Sequence, residues 1–144
     1  MPDHHFPWLT AANSRITSPA DHRYNCLAWA ANDSTHWWQP GPKFHWPTPA
    51  DPDADRIEDL IAAFAAVGFV PCGPGDLEPG FERIALYADA AGRYTHAARQ
   101  LPTGTWTSKL GIAEDIEHDT PDNIAGGIYG DVFGFMRRPV STAT

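Results

Sequence analysis

The sequence predicts one α+β domain in which a helical first half packs on an antiparallel sheet built from the second half. Three observations lead there. Ile57, Leu60, Ile61, Phe64 and Val67 recur at helical spacing within residues 54–67. Residues 83–137 hold β-compatible runs separated by glycine-containing turns. A short apolar segment, Tyr24-Asn25-Cys26-Leu27-Ala28-Trp29-Ala30-Ala31-Asn32, begins at a capping asparagine and stops at another.

Taken in order, residues 1–20 read as an irregular arm that packs through Phe6, Trp8 and Leu9, because Pro2, Pro7 and Pro19 interrupt any regular pattern. The first helix follows, with Asn25 as its cap. Residues 33–55 form a long connection with Trp37, Trp38, Phe44 and Trp46 among five prolines. A connection of that length is often functional. The second helix ends at Gly68, and Phe69-Val70-Pro71 suggests a short strand. Arg83–Ala88, Arg93–Gln100 and Thr105–Leu110 read as a three-stranded meander turning at Ala90-Ala91-Gly92 and Pro102-Thr103-Gly104. Ile116 belongs to a further short strand, and Ile128–Arg137 to the last.

A chain of 144 residues, 42% hydrophobic, has enough apolar surface for a core, and the reading is a single domain over 1–144. The formal net charge is -8, with no basic patch, so neither nucleic acid nor an anionic membrane surface is a partner. The N-terminus lacks the charged and apolar regions of a signal peptide. A cytoplasmic protein is expected, or one exported without a cleavable signal. Two cysteines without a C-x-x-C spacing argue against a zinc site or a disulfide framework. No metal and no cofactor are expected.

The chemistry rests on a cysteine and a histidine. Cys26 directly follows the proposed cap, so it opens the first turn of a helix. There the free backbone N–H groups favour a thiolate and can hold an oxyanion. The alternative is a buried cysteine acting as a small hydrophobe. Cys72, in Val70-Pro71-Cys72-Gly73-Pro74, has no helix to activate it. His96 stands among Thr95, Ala97 and Ala98 in a central strand, and alternation puts Tyr94, His96, Ala98 and Gln100 on one face. A nucleophilic thiol needs such a base within hydrogen-bond reach. The alternative is a satisfied core histidine. For the group orienting the imidazole, Asp115 is the chemically better candidate, and Ser108 lies across the hairpin. Lys109 replaces Ser108 on a one-residue change of register. Glu114 and His118 are further candidates.

Helix-start cysteine, strand histidine, then a polar group on the following strand is an order that resembles papain-like folds and cell-wall peptidases of the NlpC/P60 type. The blocks Tyr24–Trp29, Thr95–Gln100, Gly104–Gly111 and Asp115–His118 also look like those of a bacterial family with no assigned activity. The resemblance implies a papain-like α+β fold, with an N-terminal helix carrying Cys26 packed on a C-terminal antiparallel sheet. It also implies a thiol hydrolase of peptidase or amidase type acting on a peptide, protein or peptidoglycan-like substrate. Asn25-Cys26-Leu27 stands where the NlpC/P60 peptidases carry Asp-Cys-Ser. In this reading Cys26 attacks, His96 shuttles the proton, and Asp115 or Ser108 holds the ring. Asn25, Tyr24, Lys109 and Trp38 flank the oxyanion and the substrate. Deamidation and acyl transfer would use the same groups. A non-catalytic binding module with the same fold is the rival. Trp38 and its aromatic neighbours serve a peptide or glycan cleft in one reading and cover the Cys26 helix in the other.

Overall fold

The computed structural model describes residues 7–10, 12–18, 26–31, 38, 55–73, 78–109, 115–127 and 129–139. Its centre is a single seven-stranded sheet, every neighbouring pair antiparallel. The strands are β1 (Ser14–Ser18), β2 (Val70–Cys72), β3 (Phe81–Ala88), β4 (Tyr94–Gln100), β5 (Trp106–Lys109), β6 (Asp115–His118) and β7 (Asp131–Pro139), in the order β1-β6-β5-β4-β3-β7-β2. Two helices, α1 (Cys26–Ala30) and α2 (Ile57–Ala66), are the only α-helices among the described residues.

The α+β, papain-like expectation is thereby corrected. The helical part is two short helices, and strands dominate, so the fold lies closer to all-β. The expected division into a helical first half and a sheet-forming second half fails as well. β1 comes from the stretch read as an irregular arm, and it lies beside β6. The reason is physical. Ser14–Ser18 is too short for a pattern of its own, but Ile16 and Thr17 are β-branched and suit a sheet edge. Its ladder partner lies about a hundred residues downstream, where no local signal reaches.

The sheet is covered on both faces. On one face α1, α2 and Trp38 bury Leu27, Ala28, Leu60 and Phe64 against Ile84, Leu86, Ala97 and Met136. On the other face Ala85, Tyr87, Ala98, Trp106 and Ile116 meet Ile124, Ala125 and Tyr129. The latter three come from the 3₁₀ turn Pro121–Ile124 and the residues after it. The interior strand β3 alternates between these layers and is buried on both sides. α2 follows its sequence pattern: Ile57, Leu60 and Phe64 face the sheet, Asp59 accepts the amide of Arg56, and Gly68 at φ +101° closes the turn after it. No helix among the described residues is long and apolar enough to cross a membrane.

The β4–β5 pair positions the site. Its ladder holds only Arg99↔Thr107 and Gln100↔Trp106. Continued by two residues, the same register would set Ala97 against Lys109, but there the strands are no longer paired. β6 carries on alongside β5 as far as Lys109↔Asp115. The sheet therefore opens a seam between β4 and the end of β5, and α1 packs on both strands.

Candidate functional site

Cys26 is the first residue of α1 and lies at this seam. Its residue surface is only half-buried, yet the sulfur has lost enough hydration that its pKa is pushed up to about 11. Three backbone N–H groups, of Ala97, Leu27 and Cys26 itself, pull the other way, as does the Lys109 charge. The resting thiol is thus neutral at physiological pH, with thiolate-stabilising groups already around it. Cys26 and Cys72 are both free.

Around Cys26 the helix-facing layer gathers polar groups. Trp29 donates its indole N–H to Thr107 Oγ1 at 3.0 Å, and Arg99 lies over the Trp29 ring at 4.9 Å. Thr107 Oγ1 in turn donates to the Ile116 carbonyl at 3.0 Å. Lys109 and Asp115 are fully buried, with Nζ 3.9 Å from Oδ1.

His96 does not join this group. It precedes Ala97 in β4, and alternation sends its ring into the opposite layer. There it is fully buried, stacked on Tyr129 with centroids 4.1 Å apart and planes 9° apart, and edge-on to Tyr87 at 5.2 Å. Neither Nδ1 nor Nε2 has a hydrogen-bond partner. Burial, and secondarily the nearby His118, hold its pKa well below the usual histidine range.

The expected constellation is therefore divided by the sheet. Cys26 and His96 are not hydrogen-bonded. Asp115 does not orient His96; it faces Lys109. Ser108 shares the His96 layer but serves another histidine: its Oγ lies 2.7 Å from His118 Nε2, while His118 Nδ1 lies 2.8 Å from the Thr120 carbonyl. Since a carbonyl only accepts, Nδ1 carries the proton and the serine hydroxyl donates to Nε2. Trp38 lies in the core, its ring 5.5 Å from that of Phe64. Tyr24, Asn25 and Glu114 lie outside the described residues, as do the remaining aromatic residues of the 33–54 connection.

Sequence reasoning passed over Tyr129, which makes the closest ring contact of His96. Its signal was the setting Gly126-Gly127-Ile128-Tyr129-Gly130, a bulky residue among glycines that fold back on themselves. The Gly126 amide donates to the Gly130 carbonyl at 2.7 Å, and Thr95 Oγ1 donates to the Tyr129 carbonyl at 2.5 Å. Among the described residues no cluster of His, Cys, Asp and Glu is suited to hold a metal ion.

A family model described as a domain of unknown function (DUF7689) matches residues 15–137 of this chain. No curated protein and no solved structure matches it.

Proposed function

We propose, from the premise that this chain belongs to the DUF7689 family, that it is a thiol hydrolase cleaving amide bonds, with Cys26 as nucleophile and His96 as base. The observation that carries this reading is the Ala97 amide. It stabilises negative charge on the Cys26 sulfur, and the residue immediately before it is a buried imidazole with two unused nitrogens. An orphaned buried polar group costs about 1–3 kcal/mol, so a fold that keeps one calls for an account of its use.

The working arrangement requires the His96 imidazole to meet the sulfur from the other face of the sheet. The Ala97 amide lies in the strand, and the sulfur it stabilises sits at the seam on the helix-facing side. Rotation about χ1 leaves the ring on the face that alternation gives it, so this step calls for a local shift of β4 that turns the ring from the Tyr129 stack toward the seam. His96 then takes the thiol proton, and the sulfur attacks the carbonyl carbon. The proton passes to the leaving amine as the C–N bond breaks, and water, deprotonated by the same imidazole, cleaves the thioester. The amides of Cys26, Leu27 and Ala97 and the Lys109 charge favour the anionic states along this path.

The test uses p-nitrophenyl acetate as acyl donor. Attack by Cys26 forms an acetyl thioester and expels p-nitrophenolate, which is read by absorbance; the adduct is located by mass spectrometry. The expected result is acetylation of Cys26 and turnover that fall at least about tenfold in His96→Ala and vanish to background in Cys26→Ala. Acetylation of Cys26 at the same rate with and without the imidazole would leave the chain as a non-catalytic binding module.

A further inference from the structure

We infer that Trp29 is a positioning residue: its indole, seated on the Arg99–Thr107 rung of the sheet, fixes α1 so that the Cys26 sulfur meets the Ala97 amide at the seam. For its purpose this rests on the hydrolase reading, to which it adds the side chain that places the nucleophile.

α1 has five residues, too few for its own backbone bonds to hold it in place, so its orientation is set by what its side chains grip. Cys26 and Trp29 are three residues apart and therefore share one face of it. Trp29 grips both strands that border the seam. Its indole N–H donates to Thr107 Oγ1 of β5 at 3.0 Å, and the Arg99 guanidinium of β4 lies 4.9 Å from the ring centroid. Arg99 and Thr107 stand opposite each other in the register, at the last paired rung before the strands part. The amide that the sulfur meets belongs to Ala97, two residues from Arg99 along the same strand.

The Thr107 hydroxyl makes this grip directional. Its one proton goes to the Ile116 carbonyl at 3.0 Å, which leaves its lone pairs for the indole. The other end of α1 is held separately, because Arg138 donates to the Ala31 carbonyl at 2.9 Å. Loss of the Trp29 bond therefore frees the Cys26 end and leaves the far end tethered. A sulfur lifted from the seam loses its burial and the Ala97 amide together. Burial is the larger influence on it, so the thiol becomes easier to ionise as it becomes worse placed. Lys109 of β5, Tyr94 of β4 and Tyr129 are the titratable groups whose charge reaches the sulfur, and none of them is altered below. Simple alkylation, which needs only an accessible thiolate, should rise. Acyl transfer that depends on His96 should fall.

The experiment uses a Cys72→Ser background, which leaves Cys26 as the one thiol. It compares Trp29→Phe, Thr107→Val, the two combined, and Thr107→Ser. Phenylalanine keeps a ring beside Arg99 and removes the N–H; valine removes the hydroxyl; serine retains it. Thr105→Val is the matched control, since the Thr105 hydroxyl bonds Glu117 and not Trp29. One readout is the pH profile of iodoacetamide alkylation, whose wild-type midpoint should be about 11. The other is p-nitrophenyl acetate acylation, taken as the difference from the same protein carrying His96→Ala. Trp29→Phe and Thr107→Val should each lower the alkylation midpoint by about 1 pH unit, a rise of about tenfold in rate at a fixed pH below it. Each should lower the His96-dependent acylation about tenfold. The combined variant should add nothing to either, because both changes remove one bond. Thr107→Ser and Thr105→Val should keep the wild-type profile. Trp29→Phe leaves β5 intact, so it decides the matter should Thr107→Val fail to fold. An unmoved midpoint, fully additive effects, or an equal shift in Thr105→Val overturns the assignment. Should the midpoints move while wild type shows no His96-dependent acylation, the hydrolase reading fails and the placement of the sulfur by Trp29 stands. Should that acylation be present and equal in every variant, Trp29 positions nothing and the hydrolase reading stands.

Discussion

Lys109 and Asp115 face each other across the β5–β6 ladder, both fully buried, with ammonium and carboxylate 3.9 Å apart. Two charges withdrawn from water stabilise each other, and removing one leaves the other less well compensated. Lys109→Met and Asp115→Asn are each expected to lower stability by about 3–5 kcal/mol, measured by urea unfolding. The double replacement Lys109→Met/Asp115→Leu should cost less than the sum of the two single changes, because the interaction between the two is then lost only once. Lys109→Met carries a second signature. Its charge favours the Cys26 thiolate, so iodoacetamide alkylation of Cys26 at a fixed alkaline pH should slow.

His118 makes stability depend on acid. Burial lowers its pKa to about 4 in the folded protein, against 6.5 for an unperturbed imidazole. Between those values the unfolded chain binds the proton that the folded chain refuses. Stability is therefore complete above about pH 6.5 and falls as the pH drops toward 4. The loss attributable to His118 over that window is on the order of 3 kcal/mol. His96, depressed in the same direction, steepens the fall. Urea unfolding at pH 7 and pH 4.5 should show this difference, and His118→Asn should flatten it while lowering stability at pH 7. A wild-type stability that does not change over this range would contradict the neutral, buried state of both rings.

The parts legible in the sequence were those with local signals. The α2 spacing and the glycine turns of β3, β4 and β5 repeat over a few residues, and the structure places those elements within three residues of the expected bounds. β1 was not legible, because five residues at a sheet edge carry no period and take their partner from the far end of the chain. The site was half legible. Alternation along β5 offered Ser108 and Lys109 as rivals for the place beside His96, and the register gives Lys109 to the Cys26 side and Ser108 to His118, so that neither bonds His96. The face of the sheet on which the Cys26 helix packs is settled by tertiary packing, and no spacing between residues 26 and 96 encodes it.

Tyr87 ties the sheet to the 3₁₀ turn through its hydroxyl, which donates to the Pro121 carbonyl at 2.6 Å. Tyr87→Phe keeps the ring, and with it the edge contact to His96, while removing the donor. Loss of this part-buried hydrogen bond should cost about 1 kcal/mol in urea unfolding. Because the ring remains, the His96 resonance should move little. A large shift of it would mean that the hydroxyl, and not the ring, sets the packing of that layer.

Gly130 joins the Tyr129 turn to β7, and its replacement tests how that turn is held. At φ +68° it lies in the left-handed region, and a Cβ placed there would be 2.2 Å from the Ala88 carbonyl oxygen. Both obstacles are backbone, so neither yields to a side-chain rotation. Gly130→Ala is expected to cost at least about 3 kcal/mol. Gly104 supplies the comparison, since it also has positive φ, at +93°, but has open space where a Cβ would stand. Gly104→Ala should therefore cost only about 1 kcal/mol, the conformational part alone. In Gly130→Ala the chain can relieve the clash only by lifting the turn from β3, which draws Tyr129 away from His96. Unfolding curves should thus separate the two alanine variants by about 2 kcal/mol or more. Any Gly130→Ala protein that still folds should lose the ring-current shift of His96, whereas Gly104→Ala should keep it. Equal costs for the two variants would mean that the turn accommodates a side chain and does not press on β3.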